Sequence, residues 1–352
     1  MAGYRTGRPL PTVAGFAARH AFAALRKHGV AATPLLHRAG LSELDLAAEG
    51  DSSRRMPAIA QAKFLDLAAE AMDDSAFGLH LAGQIDPRDA GIFFYVGSAA
   101  RDVGEALALY SRYSRIMNEA ARLKLTPTPG GTAAEIEFAG LPRYAARHNI
   151  EFILGCVKTA LRVVTGRNVS PTTVAFGHSR NSDVREFERF FGCPVEFGAQ
   201  TNLLELSHDV LRTPLTTADR KLLDAIRPFC DMAAKERDTE VGTLRAAVEN
   251  EVERLLPDGK AQVQTIAKNL ALSVRTLSRR LSDEGVTYAD VVDQLRRSLA
   301  LQYLKEPDMS LSQISWLLGY EGSTSFNHAF RRWTGRSPSA ARNEKRLSPP
   351  SA

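Results

Sequence analysis

Two segments near the C-terminus, VQTIAKNLALSVRTLSRRLSDEG (Val263 to Gly285) and LSQISWLLGYEGSTSFNHAFRRWTG (Leu311 to Gly335), each carry the apolar spacing of two short helices meeting at a tight turn. Between them YADVVDQLRRSLALQYLKE keeps one helical apolar face through Val291, Leu295, Leu299 and Tyr303. Two helix-turn-helix outlines joined by a helix predict an all-α domain with the outline of a tandem DNA reader.

In the first unit Val263, Ile266, Ala267 and Leu270 form the inner face of a support helix, and Ser273 is placed to cap the next helix by accepting a backbone N–H bond. With Val274, Leu277 and Leu281 turned inward, Arg275, Thr276, Ser278 and Arg279 face out near the helix N-terminus, the end that enters a major groove. Arg275 and Arg279 are the expected base readers, since a guanidinium pairs with guanine through two hydrogen bonds worth ~1–3 kcal/mol of discrimination. Arg280 is expected at a phosphate.

In the second unit Ile314 and Leu318 support the core, and Gly319 stands where the turn needs a left-handed residue. Tyr320, Phe326 and Phe330 pack behind a face of Ser323, Thr324, Ser325, Asn327 and His328, short polar groups able to reach phosphates or bases. Arg331, Arg332 and Arg336 supply phosphate contacts.

Charge follows the same division. From Lys260 to Arg346 there are 14 Lys and Arg against 8 Asp and Glu, whereas the preceding residues carry 31 against 32. The basic excess thus lies wholly at the C-terminal end, where it suits a polyanionic partner and equally a solvated basic surface.

The N-terminal part mixes two periods. Residues 1–12 have none and read as a flexible tail. Helices are predicted around Phe16 to Leu25, after Thr33 as N-cap with Pro34 at the first helical position, over Pro57 to Met72 (stripe Ile59, Phe64, Leu67, Ala71), after an Asp73-Asp74-Ser75 cap, and over Arg101 to Asn118. A hairpin (Arg122 to Thr126, Ala134 to Ala139), a long helix from Tyr144 to Thr165, a strand in TTVAFGH, a helix in DVREFERFFG and strands in VEFG and NLLELS follow. The expected class is α+β, a mixed α/β N-terminal sensing domain followed by the all-α tandem helix-turn-helix domain. The expected boundaries are a tail at 1–12, a sensing and dimerisation domain at 13–218, a connecting helix and linker at 219–240, the DNA-binding domain at 241–346 and a tail at 347–352.

Enzyme signatures are absent: no GxxxxGK[ST], no GxSxG and no HExxH. Cys156, Cys193 and Cys230 are odd in number and far apart, and His178 and His208 have no zinc-like spacing to any of them, so no metal or cofactor is expected. AGFAARHAFAAL is broken by Arg19 and His20, and no run of about 20 apolar residues could span a bilayer, which predicts a cytoplasmic protein with no membrane partner.

The pattern IAKNLALSVRTLSRRL, LRRSLALQYL and ISWLLGYEGSTSFNHAFRRWTGRSPSAAR resembles the DNA-binding domain of the AraC/XylS family of bacterial transcription regulators. The matching marks are Arg296, Ala300, Leu304, Gly319-Tyr320, Phe326, Phe330, Arg331, Gly335, Pro338 and Arg342; Ser315, where Ala is commoner, and His328, where a long side chain is commoner, depart from it. LLHRAGL, FGLHLAGQIDPRDAGIFFYVGSAARDVGEAL and YSRYSRIMNEAARLKL resemble the arabinose-binding-like sensing domain of one subgroup. The resemblance implies a sequence-specific regulator of transcription, usually an activator, with double-stranded DNA, RNA polymerase and a small-molecule effector as partners and a homodimer as the assembly. Candidate effector contacts are Phe93, Phe94, Tyr95 and Tyr110, with Tyr113, His148, Phe152 and His178, all of which would serve equally as core packing. Two rival readings are an architectural DNA-binding protein without a ligand and an enzyme with an accessory DNA-binding domain.

Overall fold

The computed structural model describes residues 10–46, 55–138, 141, 146–180, 184–237, 244–257, 259–304, 306 and 309–347. The expectations for 1–9, for Tyr144 as a helix start, for the linker at 238–240 and for 348–352 lie outside the described residues.

The chain begins with strand β1 (Thr12–Val13), then α1 (Phe16–Lys27), α2 (Ala32–Ala39), α3 (Glu43–Leu46), β2 (Met56–Pro57), α4 (Ala58–Ala71) and α5 (Phe77–Gln84). Thr12, read from the sequence as part of a tail, pairs with Pro57 and donates its backbone N–H to Glu119 at 2.9 Å. The N-cap of helix α2 is Ala31, two residues before the expected Thr33, and the Thr33 hydroxyl instead bonds Glu43. Ile59 leaves the predicted stripe of α4 and is exposed, while Ala58, Ala62, Phe64, Leu65 and Ala68 are buried on several sides. Small residues at this density let α4 sit at the centre of a helical layer rather than on its surface.

A 3-10 turn (Pro87–Ala90) capped by Asp86 leads into α6 (Ile92–Ser98) and α7 (Val103–Met117), the latter N-capped by Asp102. Hairpin strands β3 (Ala121–Thr128) and β4 (Gly131–Phe138) precede the long α8 (Arg147–Thr165), then β5 (Thr173–Phe176), α9 (Val184–Phe191), β6 (Val195–Phe197), β7 (Asn202–Ser207) and α10 (His208–Leu211). The five-stranded sheet has the order β3-β4-β7-β5-β6, antiparallel except for the β5–β6 pair, which α9 connects as a crossover. Helix α8 joins the two interiors. Its Ile150, Leu154, Leu161 and Val164 belong to the core beneath the sheet, and Phe152 to the core among α1, α2, α4 and α5. A Cβ on Gly78 of α5 would meet the His148 carbonyl at 2.2 Å, so only glycine allows α5 this close to α8.

Helix α11 (Arg220–Glu236), N-capped by Asp219, packs on α6 and α7 through the buried Leu223 and Cys230. A third, wholly helical core follows: α12 (Leu244–Leu255), α13 (Val263–Asn269), α14 (Val274–Asp283), α15 (Tyr288–Tyr303), α16 (Leu311–Leu317), α17 (Ser323–Thr334) and α18 (Pro338–Leu347).

Candidate nucleic-acid interface and interior cavity

Helices α13 and α14, and again α16 and α17, form the two predicted units. Just past the end of each support helix stands a residue with positive φ, Ala271 at 54° and Gly319 at 70°. The next backbone N–H reaches back over the turn, Leu272 to the Ala267 carbonyl at 2.8 Å and Tyr320 to the Ser315 carbonyl at 3.0 Å. Ser273 accepts the Thr276 N–H at 3.1 Å and so starts α14; α17 starts at Gly322 with no side-chain cap.

Leu277 and Leu281 anchor α14, and Phe326 and Phe330 anchor α17, all fully buried. Arg275, Ser278 and Arg279 stand exposed on one unit, and Ser323, Thr324, Ser325, His328, Arg331, Arg332 and Arg336 on the other. Thr276 and Asn327 are half-buried, and the Thr276 hydroxyl is tied to Ser273 at 2.8 Å. Three placements differ from the sequence reading. Val274, expected inward, is exposed because the first residue of α14 lies before the helix reaches its core. Arg280 is half-buried, with Nη1 lacking a hydrogen-bond partner among the described residues, a poor posture for a phosphate clamp. Arg332 donates to Asp293 at 2.6 Å and so arrives at any phosphate already paired.

Two family marks prove to be braces. Arg296 of α15 donates through Nε to the Leu318 carbonyl at 2.9 Å and lies 4.7 Å over the Tyr320 ring, fixing the second turn; Arg342 donates to the Met309 carbonyl at 2.7 Å.

The N-terminal part holds a partly open cavity of about 200 Å³ between α6, α7, α8 and the sheet. It brings together Phe93, Phe94, Tyr110 and Phe152 from the sequence candidates, with Leu107, Ser114 and Met117 from the same face of α7. The other four candidates lie elsewhere. Tyr95 is exposed, and Tyr113 is buried with its hydroxyl donating to Asp231 at 2.7 Å.

His148 and His178 instead flank Glu151, a cluster that sequence reasoning missed. Glu151 is fully buried and contacts His148 at 3.2 Å, His178 at 3.0 Å, Arg180 at 3.4 Å and Arg147 at 3.6 Å. Burial alone would raise its pKa, but hydrogen bonds from the two imidazoles hold the carboxyl well below the usual range. Burial pushes His178 down to about 4, so it is neutral, donating from Nε2 to Glu151 and leaving Nδ1 without a partner among the described residues. Two arginines are then balanced by Glu151 and by Glu306, which bonds Arg147 from the short segment after α15. Asn250 of α12 adds donations to the Phe138 and Leu141 carbonyls at 3.2 and 3.4 Å. The basic helical domain is therefore held to the N-terminal part by a buried ion pair. The signal was present as RHNIE, a polar start to an otherwise apolar helix, but its partner lies far along the chain.

Burial raises the thiols, Cys193 and Cys230 to about 11 and Cys156 well above its ordinary value, which disfavours thiolate chemistry. Among the described residues no group of three or more His, Cys, Asp or Glu is placed to hold a metal, and no helix is long and apolar enough to cross a membrane.

Comparison with known proteins agrees with this division. Residues 29–215 match the family described as the arabinose-binding domain of AraC transcription regulator, N-terminal, and residues 266–344 a helix-turn-helix domain. The ornithine utilization regulator of Pseudomonas aeruginosa is 28% identical over 271 residues, 76% of this chain and 78% of that protein. The HTH-type transcriptional regulator VirS of Mycobacterium tuberculosis is 28% identical over 283 residues, 78% of this chain and 81% of its own length. The crystal structure of the transcriptional regulator CdpR from Pseudomonas aeruginosa aligns with a TM-score of 0.39 at 27% identity, covering 76% of this chain and 86% of that one.

Proposed function

Because the chain belongs to the AraC family of transcription regulators, and is thus a DNA-binding transcription regulator, we propose that α14 and α17 enter two successive major-groove segments on one face of a promoter. The observation that carries this is the exposure of Arg275, Ser278 and Arg279 at the capped end of α14 over the buried Leu277 and Leu281, repeated with other side chains on α17. Arg275 and Arg279 read bases; Arg331 and Arg336 meet phosphates, so affinity falls steeply with salt. Footprinting on the selected site tests it. Arg275→Ala should flatten base preference over one half of the site, by ~1–3 kcal/mol at the affected position. Arg331→Ala should weaken all sequences alike. Uniform loss in both would remove Arg275 as a reader.

Control by an effector works as a population shift. Supporting this, α8 lines the interior cavity along much of its length and holds Glu306 of the DNA-binding domain through its first residue, Arg147. A ligand that moves α8 changes how that domain is held. The N-terminal part pairs as a homodimer through α11, where Leu222, Phe229 and Met232 share one face and are 37%, 59% and 60% exposed. Activation through RNA polymerase recruitment is the expected outcome. A promoter reporter read with and without the chain gives its sign.

A further inference from the structure

The cavity under the sheet has an unusual chemical inventory. Its lining contains no Asp, Glu, Lys, Arg or His. The polar side chains it does contain are largely spent on the protein's own backbone. Tyr110 donates its hydroxyl to the Phe94 carbonyl at 3.1 Å, Ser114 donates to the Ser111 carbonyl at 3.2 Å, and the Asn118 side-chain Oδ1 accepts from the Ala120 N–H at 2.9 Å. The Asn118 amide nitrogen and the Cys156 thiol complete the polar lining, and the Tyr110 and Ser114 hydroxyls, their protons spent, keep only acceptor lone pairs.

A set of hydroxyls or an ammonium group brought here loses its water and finds too few partners to replace it, at ~2–7 kcal/mol for each neutral polar group left unpaired and more for a charge. A sugar, with a hydroxyl on nearly every carbon, and an amino acid, with two charges, are both excluded on that ground. What the walls reward is carbon, from Phe93, Phe152, Leu107, Ile136, Leu161 and Leu204. A dry cavity of about 150 Å³ is known to take benzene, so about 200 Å³ here admits a guest of roughly eight to eleven non-hydrogen atoms.

We propose that this cavity is the effector site and that its ligand is an uncharged, apolar molecule of that size, an alkylbenzene or a medium-length acyl ester, rather than the sugar for which the domain family is described. The proposal rests on the effector-responsive reading above.

The test uses the full chain, and thermal unfolding is followed with four probes: ethylbenzene, methyl octanoate, sodium octanoate and L-arabinose. Saturating ethylbenzene or methyl octanoate should raise Tm by about 2–4 °C. Octanoate, which has a charged carboxylate in place of the methyl ester, and L-arabinose should leave it unchanged. Ala160→Phe, which fills the cavity from α8, should abolish the shift. Should that variant fail to fold, calorimetric titration of the unaltered chain decides, one ethylbenzene site per chain supporting the proposal and none overturning it. Stabilisation by octanoate or L-arabinose equal to that by the apolar probes overturns it, as does a full shift in a folded Ala160→Phe. DNA binding by the untreated chain is measured separately in a gel-shift assay. Its loss would break the regulator reading while leaving the apolar site standing, and the reverse result would break only the site.

Discussion

The two helix-turn-helix units share one backbone design and fill it with different chemistry. Ile266 and Ala267 of the first correspond to Ile314 and Ser315 of the second, Ala271 to Gly319, Ser273 to Gly322, and the anchors Leu277 and Leu281 to Phe326 and Phe330. Where the first helix is started by a side-chain cap and presents two exposed guanidinium groups, the second starts on glycine and presents hydroxyls, an amide and an imidazole. The second is also more firmly held. Arg296 and Arg342 secure its turn and its entry, and Arg332 is occupied by Asp293. The difference teaches that arginines on a helix-turn-helix unit divide between those left exposed and those holding the fold, and that geometry rather than count tells them apart.

The largest effect that can test this comparison lies in the turns. Gly319 has φ +70°, and a Cβ there would lie 2.4 Å from the Leu256 carbonyl oxygen and 3.2 Å from its carbon. Left-handed backbone alone costs a non-glycine residue ~1–2 kcal/mol, and the clash is with backbone at the end of α12, which cannot swing aside. Gly319→Ala should therefore destabilise the chain by at least about 2 kcal/mol in urea unfolding and abolish first the binding to the half-site that the proposed docking gives to α17. A loss below about 0.5 kcal/mol would mean that the second turn is as open as the first.

Much of this domain was legible because its signals are local. The spacing of Leu277 and Leu281, the Ser273 cap and the Gly319 turn each depend on residues within a few positions, and helical period reports them directly. Val274 misled because period assigns a face without saying where along the helix the core begins. In the N-terminal part the same limits cost more. Thr33-Pro34 has the chemistry of a helix start, yet α2 begins at Ala32, since a hydrogen bond from Thr33 to Glu43 across the turn competes for the hydroxyl. The cavity draws on residues from Phe16 to Leu206, and the Glu151 cluster needs Arg147, Arg180 and Glu306 in one place. Periodicity could show that Phe93, Phe94, Tyr110 and Phe152 face inward. It could not show that Tyr113 and His178 face inward somewhere else.

Ser315 offers the next test. It is 2% exposed, and its hydroxyl has no hydrogen-bond partner among the described residues, whereas the first unit has Ala267 at the same place. An unpaired buried hydroxyl costs ~1–3 kcal/mol relative to one that is satisfied. Removing it should return about 1 kcal/mol, so Ser315→Ala should raise the unfolding midpoint while leaving DNA affinity unchanged. If Ser315→Ala weakens binding to DNA, the hydroxyl is used in the complex, and the departure from alanine marks a functional rather than a packing difference between the units.

The smallest effect concerns Ala271, which holds φ +54° in the first turn where the second has glycine. Two terms oppose each other when it is replaced by glycine. Relief of the left-handed conformation returns ~1–2 kcal/mol, while the extra freedom of glycine in the unfolded chain takes back roughly 0.5–1 kcal/mol. Ala271 is exposed, so no packing is lost with its methyl group. The balance favours Ala271→Gly by about 0.5 kcal/mol, measurable as a small rise in urea midpoint. Its effect on DNA should be opposite in sense to its effect on stability: a looser turn lets α14 sample more orientations, so discrimination at the Arg275 position should fall slightly although the fold is firmer. A variant that gained both stability and discrimination would show that the alanine restrains nothing, and the contrast between a strained first turn and a relaxed second turn would be lost.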